Sequence, residues 1–248
     1  MTEQGTPALK NVSPQRTVAV IGLGYVGLPL AVLWVQNNFN VYGIDIDPRK
    51  IDALMNNRSY LPDLSDDELA EVIHSGRFHP VTDVAKLQEA EAVIICVPTP
   101  LTAYHTPDLS YLQEAAKQIG EHLREHQLVV LESSTYPGTT KEVLQPILEK
   151  SSGLTAGIDF NIGYSPERID PGNKQFSPKQ IPKLVSGLTK GCGDRLEALY
   201  SLVFEKVIRV SSPEVAEMAK IMENSQRLVN ITFMNEMANL CERLGANI

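Results

Sequence analysis

The stretch "VAVIGLGYVGLPLAV" sets Gly22, Gly24 and Gly27 in a GxGxxG spacing between an apolar run and a helical pattern. Each glycine has its own reason there. Gly22 permits a tight turn, Gly24 lets a pyrophosphate approach the backbone, and Gly27 lets helix and strand pack closely. Tyr25 and Val26 complete the turn, whose N–H groups at the helix start face phosphate oxygens. A lone glycine pattern is weak, but Asp45 ends a second strand-like run 21 residues after Gly24. A carboxylate there accepts hydrogen bonds from both ribose hydroxyls and repels a 2′-phosphate, which points to NAD rather than NADP. Lys50 is placed to reach the adenosine ribose or phosphate, against the plainer reading of a solvated helix charge.

Two further groups carry candidate chemistry. Thr99 in "VPTP" and Thr135 in "SSTYPGTT" each follow an apolar strand run, where they would line the crevice beside a nicotinamide. Turn and cap chemistry competes, because Thr139 and Glu142 have capping-box spacing; Thr135 precedes that box and stays available. On a later helical stretch, "AEMAKIMENSQRLVN", Lys220, Asn224 and Arg227 recur at i, i+4 and i+7 and share one face. Alone, Lys220 would read as a helix lysine reaching for solvent.

The elements needed to position these residues are visible as alternation. "TVAVIG", "NVYGID", "RFHPV", "EAVIICVP", "QLVVLES", "FNIGYS", "KLVSG" and "KVIRVSS" read as strands. Helices are expected over Tyr25–Asn37, from Pro48, near "DDELAEVIHS", over Leu109–Glu125, over Thr139–Lys150 and near Arg195–Phe204. Apolar strands alternating with helices predict an α/β fold, a doubly wound, mostly parallel Rossmann-type sheet covered on both faces. Residues 1–16 are expected to be a loose tail, 17–211 the dinucleotide-binding domain and 212–248 a long connecting helix. That helix runs from Pro213 to Leu244, with Ser212 as N-cap and Gly245 as its left-handed stop. At ~1.5 Å per residue it spans nearly 50 Å. Its second half is apolar on more than one side, which predicts a domain or subunit interface, with a homodimer formed along it.

Bulk properties narrow the class. With 43% hydrophobic residues the 248-residue chain can bury a sizeable core, and a formal net charge of −8 argues against a nucleic-acid footprint. Three scattered cysteines, Cys96, Cys192 and Cys241, fit a reducing compartment and have neither disulfide nor zinc spacing. No apolar run reaches the roughly 18 residues of a membrane span. A soluble, cytoplasmic protein without membrane or metal is expected.

With "GLGYVGLPLA", "VPTP", "SSTYPGTT", "GYSPERIDPGN" and "AEMAKIMENSQRLVN" in this order, the chain resembles the UDP-glucose/GDP-mannose dehydrogenase family from about Val18 onward. The "SPERIDPG" form is most similar to members that oxidise UDP-N-acetylhexosamines. The resemblance implies oxidation of a sugar C6 alcohol to a carboxylate, with two hydrides passed to two NAD⁺. It implies that Lys220 and Asn224 bind the developing oxyanion at C6, and that Arg227 serves substrate phosphate or sugar oxygens. It also implies an acid/base role for Glu167, substrate contacts for Arg168 and Ile169, and a place for Thr135 among the catalytic residues. The competing reading of Glu167 and Arg168 is a surface loop ion pair, worth little.

The family's nucleophilic cysteine lies in a second α/β domain beyond the long helix, and no residue here matches it. Cys96 reads as a small buried hydrophobe, Cys192 as structural at a helix start, and Cys241 as helix packing. A piece of a longer chain and a naturally shortened product both fit, and this chain alone is expected to lack full turnover. Two other readings remain: a non-catalytic NAD-binding module that dimerises, and a β-hydroxyacid dehydrogenase, against which the long "SPERIDPGN" loop argues.

Overall fold

The fold is that of a computed structural model, which describes residues 16–167 and 178–246. Arg168, Ile169 and most of the N-terminal stretch expected as a tail lie outside the described residues. Eight strands form one sheet: β1 (Thr17–Ile21), β2 (Asn40–Ile44), β3 (Phe78–Val81), β4 (Ala92–Ile95), β5 (Leu128–Leu131), β6 (Asn161–Tyr164), β7 (Lys183–Gly187) and β8 (Val207–Arg209). Their order is β3-β2-β1-β4-β5-β6-β7-β8. β1 to β6 are parallel, β7 runs antiparallel to β6, and β8 runs parallel to β7. The chain winds outward from β1 in both directions, so the crevice past the ends of β1 and β4 is the topological switch point.

The strands are short and apolar because both faces are covered. All four residues of β4 and of β5 are buried. Alternation within β1 feeds two cores: Val18 and Val20 pack with Trp34, Tyr200 and Phe204, whereas Ala19 and Ile21 pack with Leu112, Ile119 and Leu148. Trp34 meets Phe39 and Tyr200 edge-on, at 4.8 and 5.6 Å between ring centroids, contacts worth roughly 0.5–1.5 kcal/mol each beyond their burial. The helices are α1 (Gly27–Gln36), α2 (Pro48–Met55), α3 (Asp66–His74), α4 (Ser110–His122), α5 (Gln145–Ser152), α6 (Lys190–Tyr200) and α7 (Pro213–Leu244).

Local chemistry explains where helices depart from expectation. α1 starts at Gly27 rather than Tyr25, because residues 23–26 form the turn over the strand ends. The helix expected near Arg195–Phe204 is α6, which begins earlier: Thr189 caps it by accepting from the Cys192 N–H at 3.2 Å. The capping box of Thr139 and Glu142 does not form. Gly138 takes the N-cap position at φ 95°, Thr139 donates its hydroxyl hydrogen to the Tyr136 carbonyl, and Thr139–Leu144 winds as a π-helical turn into α5. Ser212 occupies the N-cap of α7 but its side chain accepts no N–H from the first turn. Gly245, at φ 67°, ends α7 as a left-handed residue, with the Ala246 N–H reaching the Cys241 carbonyl.

Only the first turns of α7 are buried, at Pro213, Ala216 and Glu217. Farther along, Leu228, Val229, Ile231, Phe233, Met234 and Leu240 are exposed, and Cys241 is half-exposed rather than packed. Among the described residues no helix is long and apolar enough to cross a membrane.

Candidate functional site

A cavity of about 650 Å³ opens at the switch point, within the range of small-molecule sites. It brings together Gly22, Gly24, Tyr25, Val26, Asp45, Lys50 and Thr99, with Glu132, Ser133 and Ser134 from the end of β5. Gly27 lies behind this lining, and its need for glycine is steric. A Cβ there would sit 1.9 Å from the Gly22 carbonyl oxygen. Gly22 has φ 89°, and a Cβ on it would meet the Cys96 carbonyl at 2.9 Å. A Cβ on Gly24 would meet nothing within 4 Å, which leaves its backbone open to a ligand.

Asp45 is 6% exposed and is the polar end of the cavity. Its Oδ2 accepts from the Leu23 N–H at 2.8 Å and from Lys50 Nζ at 2.7 Å, and its Oδ1 accepts from the Asp47 N–H at 3.0 Å. The two backbone bonds fix the carboxylate, and the ion pair draws Lys50 to the same rim. Lys50 is therefore not a free helix charge. Tyr60 steadies the turn by donating to the Leu23 carbonyl at 2.7 Å.

At the other end, Thr99 donates to the Ser134 carbonyl at 2.6 Å and Ser133 to the Val97 carbonyl at 2.7 Å, tying the loops after β4 and β5 together. Thr135, next in the chain, is buried, and its Oγ1 has no hydrogen-bond partner among the described residues. A buried hydroxyl without a partner is costly, and a ligand can supply one. Thr135 itself does not line the cavity, but its neighbours Ser133 and Ser134 do; an open glycine turn and a fixed carboxylate at one end, with the Thr99 and Ser133–Ser134 loops at the other, fit a dinucleotide.

Sequence reasoning missed the residue that docks α7 beside this cavity. Glu217 is fully buried and accepts from the Gly138 N–H at 2.6 Å, the Thr140 N–H at 2.9 Å and the Thr140 hydroxyl at 2.6 Å. It thus caps the helix that follows the Thr135 turn, the task expected of Thr139. Burial raises its pKa, against the hydrogen bonds that favour the ionised form. Lys220, one turn on, is half-buried, and Asn224 and Arg227 continue along α7 as exposed residues. Arg227 Nη2 lies 3.4 Å from Glu223.

Glu167 follows β6 and is 9% exposed, not a surface residue. It pairs with buried Lys183 at 2.8 Å, and Lys183 also pairs with Glu132 at 2.7 Å. The Tyr200 hydroxyl donates to Glu132 from the other side. Lys183 and Glu132 were legible only as charged residues at the ends of apolar strand runs. None of the cysteines offers an open thiol at the cavity. Cys96 lines it but is buried, and burial, then the Glu132 charge, pushes its thiol well above the ordinary range. Cys192 is buried in α6. Among the described residues no cluster of three or more His, Cys, Asp or Glu could hold a metal.

A doubly wound sheet with this turn, cavity and acidic strand end defines a dinucleotide-binding domain of the dehydrogenase type. Its family is more specific. Residues 16–204 match the NAD-binding domain of the UDP-glucose/GDP-mannose dehydrogenase family, and residues 214–248 match that family's central domain. The chain belongs to this family. It is 41% identical over 230 residues to Protein CapL of Staphylococcus aureus, covering 92% of this chain and 53% of CapL. It is 39% identical to the UDP-N-acetyl-D-glucosamine 6-dehydrogenase of Salmonella typhi, with the same two coverages. The structure of UDP-D-ManNAc dehydrogenase from Pyrococcus horikoshii superimposes with a TM-score of 0.86 at 34% identity, covering 93% of this chain and 55% of that one. The chain thus spans about half the length of the curated relatives it matches. The family match answers the β-hydroxyacid dehydrogenase alternative and establishes the cofactor class as NAD.

Proposed function

We propose that this chain is the NAD-binding part of a UDP-N-acetylhexosamine 6-dehydrogenase, which oxidises the sugar's C6 alcohol to a carboxylate. The observation that carries the reading is the single cavity joining the Gly22–Gly27 turn and Asp45 to the Thr99 and Thr135 loops, with α7 docked beside them. Relatives named for UDP-N-acetylhexosamines support the substrate class.

Bound NAD⁺ supplies the acceptor for the hydride that leaves C6. The chain's own residues contribute as follows. The glycine turn presents N–H groups to the pyrophosphate. Asp45, already held by two backbone bonds, accepts from the ribose diol and repels a 2′-phosphate, and Lys50 screens its charge at the rim. Thr99 and Thr135 border the nicotinamide end, where the orphaned Thr135 hydroxyl gains a partner. Lys220 and Asn224 face the C6 oxygen as it gains negative charge, a cation plus an amide donor preset for an oxyanion. Arg227, with Arg168 and Ile169, grips the substrate, and Glu167 takes the proton of the hydrolytic water. The exposed apolar half of α7 pairs with a second copy. A cytoplasmic setting agrees with three unbridged cysteines.

One other reading is a non-catalytic NAD-binding module that dimerises through the exposed apolar half of α7. The test is a calorimetric panel of NAD, NADP, UDP-N-acetylglucosamine and UDP-glucose, followed by turnover with the family's C-terminal domain supplied in trans. NADH production with that domain supports the dehydrogenase. Tight NAD binding with no NADH in either case supports the non-catalytic module.

A further inference from the structure

A buried charged set lies beneath the cavity and has no part in the reading above beyond its member Glu167. Lys183, at the start of β7, is 3% exposed. Its ammonium sits between two carboxylates, 2.7 Å from Glu132 Oε2 and 2.8 Å from Glu167 Oε2. Tyr200, from α6, donates to the other oxygen of Glu132. The Phe204 ring lies 5.2 Å from the ammonium and closes another side. Glu132 itself lines the dinucleotide cavity. The four polar groups come from four elements: the ends of β5 and β6, the start of β7, and α6. Cys96, past the end of β4, is the further titratable neighbour.

We propose that Lys183 is a positioning residue for Glu167, and that with Glu132 and Tyr200 it forms a buried platform that holds Glu167 in place as a proton acceptor. This rests on the reading of Glu167 as the proton-handling carboxylate. As Glu167 takes a proton from the hydrolytic water, the water oxygen bonds to the acyl carbon and the C–S bond to the family's cysteine breaks, so that the acid is released and the sulfur leaves as thiolate. Two carboxylates on one ammonium also titrate as a pair, so the site's pH response belongs to the set and not to Glu167 by itself. The directions agree. Burial pushes Glu132 above the ordinary carboxylate range, with the Glu167 charge adding and Lys183 opposing. Lys183, facing both carboxylates, stays protonated despite its burial. Tyr200 is raised well above its usual range by burial and then by Glu132, so it remains a donor.

The experiment is a pH titration of the full chain carrying ¹³C-carboxyl glutamate, followed by NMR. Glu132→Gln and Glu167→Gln assign the two resonances. In Lys183→Met both midpoints should move to higher pH, because the shared cation is gone. Lys183→Arg should leave them near the unmutated values. Glu132→Gln should move the Glu167 midpoint to lower pH by removing a like charge. An unmoved Glu167 midpoint in folded Lys183→Met overturns the proposal. If that variant does not fold, Lys183→Met/Glu132→Gln is compared with Glu132→Gln: a higher Glu167 midpoint in the double variant supports the platform, and equal midpoints overturn it. NAD binding to the unmutated chain is measured alongside. Its failure would sink the functional reading, while the titrations would still decide the role of Lys183.

Discussion

Replacing Glu217 with alanine should detach the base of α7 without touching the dinucleotide cavity. The carboxylate receives three hydrogen bonds, two from backbone N–H groups of Gly138 and Thr140. Each such bond is worth about 1 kcal/mol net, and a buried N–H left unpaired costs about 1–3 kcal/mol. Relief of a buried charge offsets part of this. The balance is on the order of 3 kcal/mol, or about 6–12 °C in Tm for a chain of this size. Calorimetry reads the shift, and amide exchange at Gly138 and Thr140 should speed up with it. NAD affinity should change less than about threefold, because Glu217 does not line the cavity. The pH dependence has a definite sign. Burial raises the folded-state pKa of Glu217, so its titration contributes stability that is fully present below the unfolded pKa and is lost as pH rises through the folded value. The stability gap between the unmutated chain and Glu217→Gln should therefore narrow as pH rises above the ordinary carboxylate range. A Tm change under about 2 °C in Glu217→Ala, or slow exchange retained at both amides, would refute the claim that this carboxylate docks α7.

Two other outcomes follow from the surface of α7 and the burial of the thiols. Phe233→Glu with Met234→Glu should convert a dimer to a monomer in sedimentation, since both side chains are exposed on the second half of the helix. An unmutated chain that is monomeric at high concentration would contradict the helix interface. The chain by itself should not yield two NADH per UDP-N-acetylglucosamine: Cys96 and Cys192 are buried and Cys241 lies on the long helix, leaving no evident thiol to hold the aldehyde for a second oxidation. Mass analysis that finds uronic acid at an ordinary enzymatic rate would overturn this.

Much of the fold was legible because short apolar runs alternated with helical patterns, and strands buried on both faces read as continuous runs. The bounds of α7 were legible for the same local reasons: Pro213 at its start and Gly245 at its stop. The lining residues Gly22, Gly24 and Asp45 were legible because glycine spacing and an acidic strand end are local signals. What stayed hidden is what distant segments supply to each other. Glu217 took over the cap expected of Thr139 across 77 residues of separation from Thr140, and no local pattern encodes that. Lys183 and Glu132, 51 residues apart, meet only once β7 turns back antiparallel to β6. The same meeting turned Glu167 from a loop charge into a buried one.

The central claim is that Asp45 makes this cavity an NAD site in a sugar-nucleotide dehydrogenase. Calorimetric titration of the unmutated chain and Asp45→Ala with NAD and NADP tests it most directly. The unmutated chain should bind NAD at least tenfold more tightly than NADP, about 1.4 kcal/mol. Asp45→Ala should weaken NAD and narrow that gap, because the acceptor for the ribose diol and the charge opposing the 2′-phosphate are removed together. Equal affinities for NAD and NADP in the unmutated chain, or a gap that survives Asp45→Ala, would contradict it.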